Sequence, residues 1–555
     1  MLPDSRGQEA WLPKPEKGNR SMVRNLYRIY LYAVCIVLLI AATVVTAFSL
    51  GLLFSETPLR GPYGFLPPHS QIVQTVVAFV VVWLVTLLLG GLHYWLIRRD
   101  MATDPAAGGG AVRSYFLNVT QLFAVLTAIT TAAIGITQLG NQNNSTASIF
   151  AVAISMAGLF ALLEWERWRT RAATTAAIVF QRLHQFGAQL IIVFIAISVL
   201  SQAVQDIVMT VLIRSGAYNP CAGYPEGFTC YPGDSYSLRQ IVVQWGAALF
   251  LAACWVGYTA FSRHDRHSRI RQVTHLLAFG YGLLSVLTGC RGVFEAVLRQ
   301  LLGRPFPPNN LPYGAPTIAG ALVSGLVVML AYCWLYAREA ADLPSGVLAA
   351  GLIQWALAGV IFAYSFWVGT QTLLINAIEH VVPEGSQPPV ENFAQAGALL
   401  LTGLPFVFIT LLLGMRTSQT GVTWPHRIFV LVLLAGGVIA GAAGLIIALQ
   451  ASLSAMLGAP ADHWQQAARG GVVTLLVGAT MVAIFMTVAV RNRYLGTRPE
   501  PKPVETAPVA ASMQPVMSVS VAPYETLEGI LDALLAGRMT RDEAAARIRA
   551  GRGIR

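Results

Sequence analysis

The sequence predicts an all-α polytopic membrane protein: twelve transmembrane helices arranged as six repeated hairpins, followed by a small cytoplasmic helical hairpin. Three observations carry that expectation. Hydrophobic residues make up 55% of the chain against 11% charged, with a mean hydropathy of +0.59, a balance that no soluble domain needs. Apolar runs of ~20 residues recur, enough at ~1.5 Å rise per residue to cross a hydrocarbon core. The runs come in pairs, each opening near a basic residue and closing on an aromatic or basic end.

Leu31 to Phe54, Tyr115 to Leu139 and Val347 to Ile378 carry no Asp, Glu, Lys, Arg or His. Scanning the whole chain places spans near 29–54, 71–97, 115–139, 148–165, 184–213, 239–261, 272–298, 316–337, 346–378, 394–415, 427–450 and 471–490. Backbone groups in lipid must be satisfied within the segment, so runs of this length are helices rather than strands. The polar start "MLPDSRGQEAWLPKPEKGNRSMVR" (1–26 with the two residues that follow) has no cleavage signature, so the first span is expected to stay in the protein.

An even number of spans puts both termini on one side. With that side inside, 24 Lys/Arg flank the spans there and six flank them outside, a positive-inside bias that predicts a bacterial inner membrane protein with cytoplasmic termini. The net charge of +11 is thereby spent against anionic lipid. No concentrated basic patch with interleaved aromatics points to nucleic acid. Cys35, Cys254, Cys290 and Cys333 sit within spans as packing residues. Cys221 and Cys230 lie in "NPCAGYPEGFTCYPG", an outer loop on an oxidising face, where a disulfide is expected rather than a metal pair, since no further ligands stand near.

Paired spans beginning near 28, 113, 182, 271, 346 and 427 read as six copies of one helical hairpin, the fifth without its leading Arg. Openings such as "RIYLYAVCIVLLI" and "RQVTHLLAFGYGLLSVL" are answered by closings such as "HYWLIRR", "LLEWERWRTR" and "CWLYARE". On these residues, above all "RNLYRIYLYAVCIVLLIAA" with "GGLHYWLIRRD", region 27–495 resembles a bacterial membrane repeat family catalogued as domain of unknown function 5671. The resemblance implies a fold and no activity.

Beyond Tyr494 the composition shifts. Residues 496–523 are Pro-rich and read as a flexible linker. In 524–555, Leu527, Ile530, Leu531, Leu534 and Leu535 share one helical face, Gly537 can cap, and Thr540 with Glu543 forms a capping box for a second helix with Ile548 on its apolar side. This order resembles the short C-terminal domain that ends many bacterial proteins, which implies oligomerisation or partner contact. About 30 residues bury too little apolar surface to stand alone, so Leu527, Ile530, Leu531, Leu534 and Ile548 form a candidate docking face, on another chain or on the parent bundle.

Few charges lie deep in the spans. Arg291 is 18 residues beyond Val273, or ~27 Å along a helix, near the outer edge of a ~30 Å core. With Glu295 and Arg299 it forms an i, i+4, i+8 ladder that can neutralise itself. The alternative is a polar site: Asp206, with no cation within a turn, Arg291, Glu295 and Glu379 recur toward the outer ends of odd-numbered spans and could line an outward-open vestibule. Glu164, near Arg167 and Trp168, reads as an interfacial anchor, as do His93, His184 and His275. Pro405 should kink the tenth helix, no span being otherwise interrupted by Gly/Pro unwinding, and Gly437 with Gly441 suits close helix packing. No metalloprotease, nucleophile-elbow, phosphate-loop or dinucleotide motif occurs, so no enzymatic activity, cofactor or metal is expected. Two functions remain: a scaffold or assembly protein acting through its C-terminal hairpin, alone or with a partner, and a transporter or channel for a small solute or ion.

Overall fold

The structure, a computed structural model, describes residues 17–60, 68–141, 146–169, 174–218, 238–265, 268–304, 311–340, 346–382, 389–458 and 463–495. Among these residues every regular element is helical, and twelve helices are long and apolar enough to cross a membrane. They are α1 (Arg24–Ser55), α2 (His69–Thr103), α3 (Pro105–Gly140), α4 (Thr146–Trp168), α5 (Thr175–Arg214), α6 (Leu238–Phe261), α7 (Arg269–Leu301), α8 (Gly314–Glu339), α9 (Val347–Val381), α10 (Val390–Thr420), α11 (Trp424–Met456) and α12 (Trp464–Arg491). The chain is therefore an all-α multi-pass membrane protein, with a helix at each of the twelve expected spans.

The chain divides into two compact units, Met1–Leu495 and Gly496–Arg555. The second carries Leu527, Ile530, Leu531, Leu534 and Ile548 and lies outside the described residues, as does the loop with Cys221 and Cys230. The described cysteines, Cys35, Cys254, Cys290 and Cys333, are free thiols.

The hairpins pack in series on one common pattern, to which the junction of hairpins four and five adds a contact between α8 and α9. Each odd helix lies against its own partner and then against both helices of the next hairpin. Thus α1 meets α3 and α4, α3 meets α5 and α6, α5 meets α7 and α8, α7 meets α9 and α10, and α9 meets α11 and α12. Among the described residues, hairpins that are not neighbours in sequence share no substantial interface. This is nearest-neighbour architecture, the quasi-one-dimensional logic of stacked repeats.

Lipid is as apolar as a leucine side chain, so close approach of backbones rather than burial from water holds such helices together. Hairpin six shows how. A Cβ placed on Gly444 of α11 would stand 2.4 Å from the Leu475 nitrogen, and one on Gly471 of α12 would stand 2.5 Å from the Ala448 nitrogen. A Cβ on Gly478 would stand 2.4 Å from the Gly441 nitrogen. The Gly437–Gly441 face expected from sequence is one side of this seam. Larger side chains fill the junction beyond it, where Phe429 lies 6.2 Å from Phe485 and Phe485 lies 6.2 Å from Phe406, centroid to centroid.

Two helices depart from regularity. The tenth breaks into Val390–Gly403 and Pro405–Thr420 because Pro405 lacks the amide that would continue the ladder. The second contains a π-turn over Thr86–Gly90, which sequence periodicity does not reveal. Apart from one wall near that turn, α2 faces outward, with only 6% of its most apolar window buried.

Candidate functional site

The bundle end at which odd helices begin carries the main polar construction. In hairpins one to four the leading arginine reaches an acid within or just past the aromatic end of its own hairpin. In hairpin one, Arg28 Nε donates to Asp100 Oδ2 at 2.6 Å and Nη2 to Asp104 Oδ2 at 2.8 Å, with Arg24 Nη2 at 3.1 Å from Asp100 Oδ1. In hairpin two, Arg113 Nη2 donates to the Glu166 carboxylate and to its backbone carbonyl, both at 2.9 Å. In hairpin three, Arg182 Nη2 donates to Asp265 Oδ1 at 2.8 Å. In hairpin four, Arg271 grips Glu339, with Nε 2.9 and 3.0 Å from the two carboxylate oxygens.

Hairpin five lacks both partners: its opening "GVLAAGLIQWALAG" holds no cation and its closing "LLLGMRTSQT" no acid. Hairpin six replaces the ion pair with neutral groups, His426 Nδ1 meeting the Tyr494 hydroxyl at 2.6 Å. Burial raises the Tyr494 phenol above its usual range, so it stays neutral. In hairpins one to four the arginine and its acid occur together and in hairpin five both are absent, while in hairpin six the leading Arg427 remains and makes no ion pair among the described residues.

The clasp of hairpin four is the deepest. Arg271 is 2% exposed and His275 0%. Arg271 Nη1 also donates to the carbonyl and hydroxyl oxygens of Ser262 at 2.6 Å, and its guanidinium lies 6.0 Å from the Phe186 ring. His275 Nε2 lies 3.0 Å from Glu339 Oε2. Alongside, Trp255 Nε1 donates to the Tyr332 hydroxyl at 2.6 Å and Gln189 Nε2 to Thr259 Oγ1 at 2.8 Å. Charges are matched and most donors are spent on fixed acceptors. Chemically this holds helices together; it does not present a free acid or base to a substrate.

Glu164 is a node between hairpins. It pairs with Arg167, accepts from Trp168 Nε1 at 2.7 Å and takes Gln121 Nε2 at 2.8 Å, while Arg167 lies 5.3 Å from the Phe261 ring of hairpin three. Arginines also stack one turn after tryptophans at the closing ends: Arg99 on Trp95 at 5.6 Å, Arg169 on Trp165 at 3.9 Å and Arg338 on Trp334 at 5.2 Å.

At the opposite end the four residues singled out from sequence have separate partners. Asp206 is 5% exposed; Gln202 Nε2 donates to its Oδ1 at 3.0 Å, and Oδ2 has no partner among the described residues. Arg291 makes no ion pair with Asp206 or with Glu295. Glu295 is held by Arg299 at 2.9 Å, so the expected three-residue ladder reduces to its outer rung. Glu379 Oε1 accepts from Gln466 Nε2 at 2.8 Å, tying α9 to α12. No hydrogen bond or ion pair joins these four side chains to one another. Among the described residues no cluster of His, Cys, Asp and Glu could hold a metal.

Sequence reasoning found the leading arginines of hairpins one to four and missed their acids. The signal was available: an Asp or Glu lies within or just past the aromatic-Arg end in hairpins one to four and is missing in hairpin five. Comparison with known protein families, with curated proteins and with solved structures finds no match to this chain.

Proposed function

We propose that the protein is a non-enzymatic scaffold of the bacterial inner membrane, with cytoplasmic termini, whose C-terminal hairpin 524–555 oligomerises it or recruits a protein partner. The observation that carries this reading is the serial row of hairpins: nearest-neighbour contacts leave the first and last hairpins apart, and the buried charges of the basic end are consumed in clasps within single repeats. Such a body is a rigid platform in the bilayer. Recurrence of the clasp also supports descent of the six units from one ancestor, and with it membership of the repeat family of domain 5671.

The test is the mass of the complex extracted from native membranes in mild detergent, comparing the full chain with a truncation after Arg498. Loss of subunits or of a partner on truncation supports the scaffold. A mass that falls only by the missing tail refutes it. A second reading, transport of a small solute or ion, is favoured by one observation: Asp206 is a buried carboxylate whose Oδ2 has no partner among the described residues.

A further inference from the structure

The first two hairpins enclose an amphipathic crevice that the scaffold reading does not use. Its volume is about 400 Å³. Its floor is α1, with Tyr32, Cys35, Ile36 and Leu39; one wall is the π-turn of α2, and the other is α4, with Leu162 and Leu163. The π-turn shapes the first wall. Thr86, Leu87, Gly90 and Gly91 all line the crevice, and a Cβ at Gly91 would meet nothing within 4 Å, so Gly91 leaves open space that a larger apolar side chain would fill. Trp83, above the turn, is pinned by donating Nε1 to Thr46 Oγ1 at 3.0 Å.

Only one end of the crevice is polar. There Arg113, Glu166, Arg169 and Tyr94 line it. Glu166 sits between two arginines, 2.9 Å from Arg113 and 3.8 Å from Arg169, and Tyr94 donates its hydroxyl to Glu166 at 3.0 Å. One turn beyond Tyr94, exposed Arg98 has no partner among the described residues. The mouth therefore carries more positive than negative charge and stands at the arginine-rich end of the bundle.

We propose that this crevice is a binding site for an anionic phospholipid, one acyl chain lying against α1 and the π-turn and the phosphate held at the mouth by Arg169 and Arg98. Volume and charge choose this occupant. About 400 Å³ lies near the bottom of the ~300–1,000 Å³ range of small-molecule sites, room for a chain. A protein helix would instead need an interface of ~800 Å² per partner, which so narrow a crevice does not supply. An apolar slot ending in arginines matches a molecule whose anionic group and hydrocarbon are covalently joined. Trp165, stacked beneath Arg169 at 3.9 Å, fixes the guanidinium at headgroup depth.

Native mass spectrometry of the full chain tests the proposal, with palmitoyl-oleoyl phosphatidylglycerol and palmitoyl-oleoyl phosphatidylcholine as probes. Wild type should retain phosphatidylglycerol in preference. Arg98→Gln and Arg169→Gln should each lower its retention about fivefold, the weight of one interfacial cation against an anionic lipid, and leave phosphatidylcholine unchanged. Gly91→Leu, which enters open space and spares the fold, should lower retention of both lipids. Arg338→Gln, the equivalent stacked arginine of hairpin four, should change neither. Equal retention of the two lipids by wild type overturns the proposal, as does an equal loss in Arg338→Gln or full retention in Gly91→Leu. A second polypeptide displaced by Gly91→Leu would assign the crevice to a protein helix and overturn it as well.

Discussion

Removing one half of the hairpin-four clasp should cost far more than removing both halves. Glu339→Leu leaves the Arg271 guanidinium, 2% exposed, with only the Ser262 oxygens to satisfy it. Arg271→Met leaves the Glu339 carboxylate, its side chain 12% exposed, with His275 Nε2 alone. A buried charge stripped of its partner costs about 3–5 kcal/mol, whereas replacing a whole buried pair by apolar groups is close to neutral. Each single variant should therefore be destabilised by about 3–5 kcal/mol and the double variant by about 2 kcal/mol or less, giving a coupling of at least about 4 kcal/mol, above the usual range for contacting residues. Hairpin five, which has neither partner, is the natural counterpart of the double variant. The assay is unfolding in mixed micelles with increasing anionic detergent, followed by tryptophan fluorescence across the full cycle. Single effects that add, with coupling under about 0.5 kcal/mol, would refute the clasp as a cooperative unit.

Three further outcomes follow from the same geometry. Arg28 donates to Asp104 and holds its carboxyl below the ordinary 3.8, so that pair contributes above this pH and its contribution fades as pH falls below it. The stability difference between wild type and Asp104→Asn should be constant at neutral pH and shrink in acid; a difference that grows as pH falls would contradict the sign. Gly444→Ala should destabilise by about 1–3 kcal/mol, since its Cβ would meet backbone at 2.4 Å, whereas Gly436→Ala on the same helix meets nothing and should be neutral or stabilising by up to about 1 kcal/mol. Equal thermal shifts in the two variants would rule out the glycine seam. Asp206→Asn removes a buried charge but keeps an acceptor for Gln202, so expression and complex mass should be unchanged. A loss of solute or ion flux in proteoliposomes at normal expression would replace the scaffold reading with transport.

Span number, pairing and a distortion at Pro405 were legible because each rests on local chemistry: run length, flanking charge and a missing amide; the kink expected there is a full break. The glycine seam of hairpin six was half legible. Gly437 and Gly441 show their spacing on one helix, but Gly478, which meets both, and Gly471, which meets Gly444, follow no rule of separation from them. The clasps were missed because a residue 53 to 83 positions away supplies the second half, and an Asp after an arginine-rich end reads alone as a solvated flank. The π-turn was illegible for a different reason: "TLLLG" carries ordinary helical chemistry, and the widening arises where α2 leans on α1 through Thr86 and Cys35. Asp206 shows the opposite error. Its isolation in sequence was real, but proximity along successive spans did not bring Arg291 to it.

The joint absence of arginine and acid from hairpin five explains how such a row tolerates divergence. The ion pair of each clasp lies within one hairpin, so its loss leaves the neighbouring ion pairs intact, although Arg271 donates to Ser262 and Glu166 accepts from Tyr94, each in the preceding hairpin. Losing one member leaves a charge unpaired near the membrane surface and is costly; losing both removes the cost of desolvating them. Intermediates are disfavoured where the arginine is buried, so such copies keep the complete clasp or lose both halves; in hairpin six His426 and Tyr494 hold the place and the leading Arg427 is exposed, where an unpaired charge costs little. The row itself persists because backbone contact between odd helices and the next hairpin does not depend on the clasp: α9 packs on α11 and α12 as α7 packs on α9 and α10. A chain selected to pass a solute between repeats would hold its charges at interfaces between hairpins. Here four of the six repeats hold an ion pair inside the hairpin, which is where a structural device belongs.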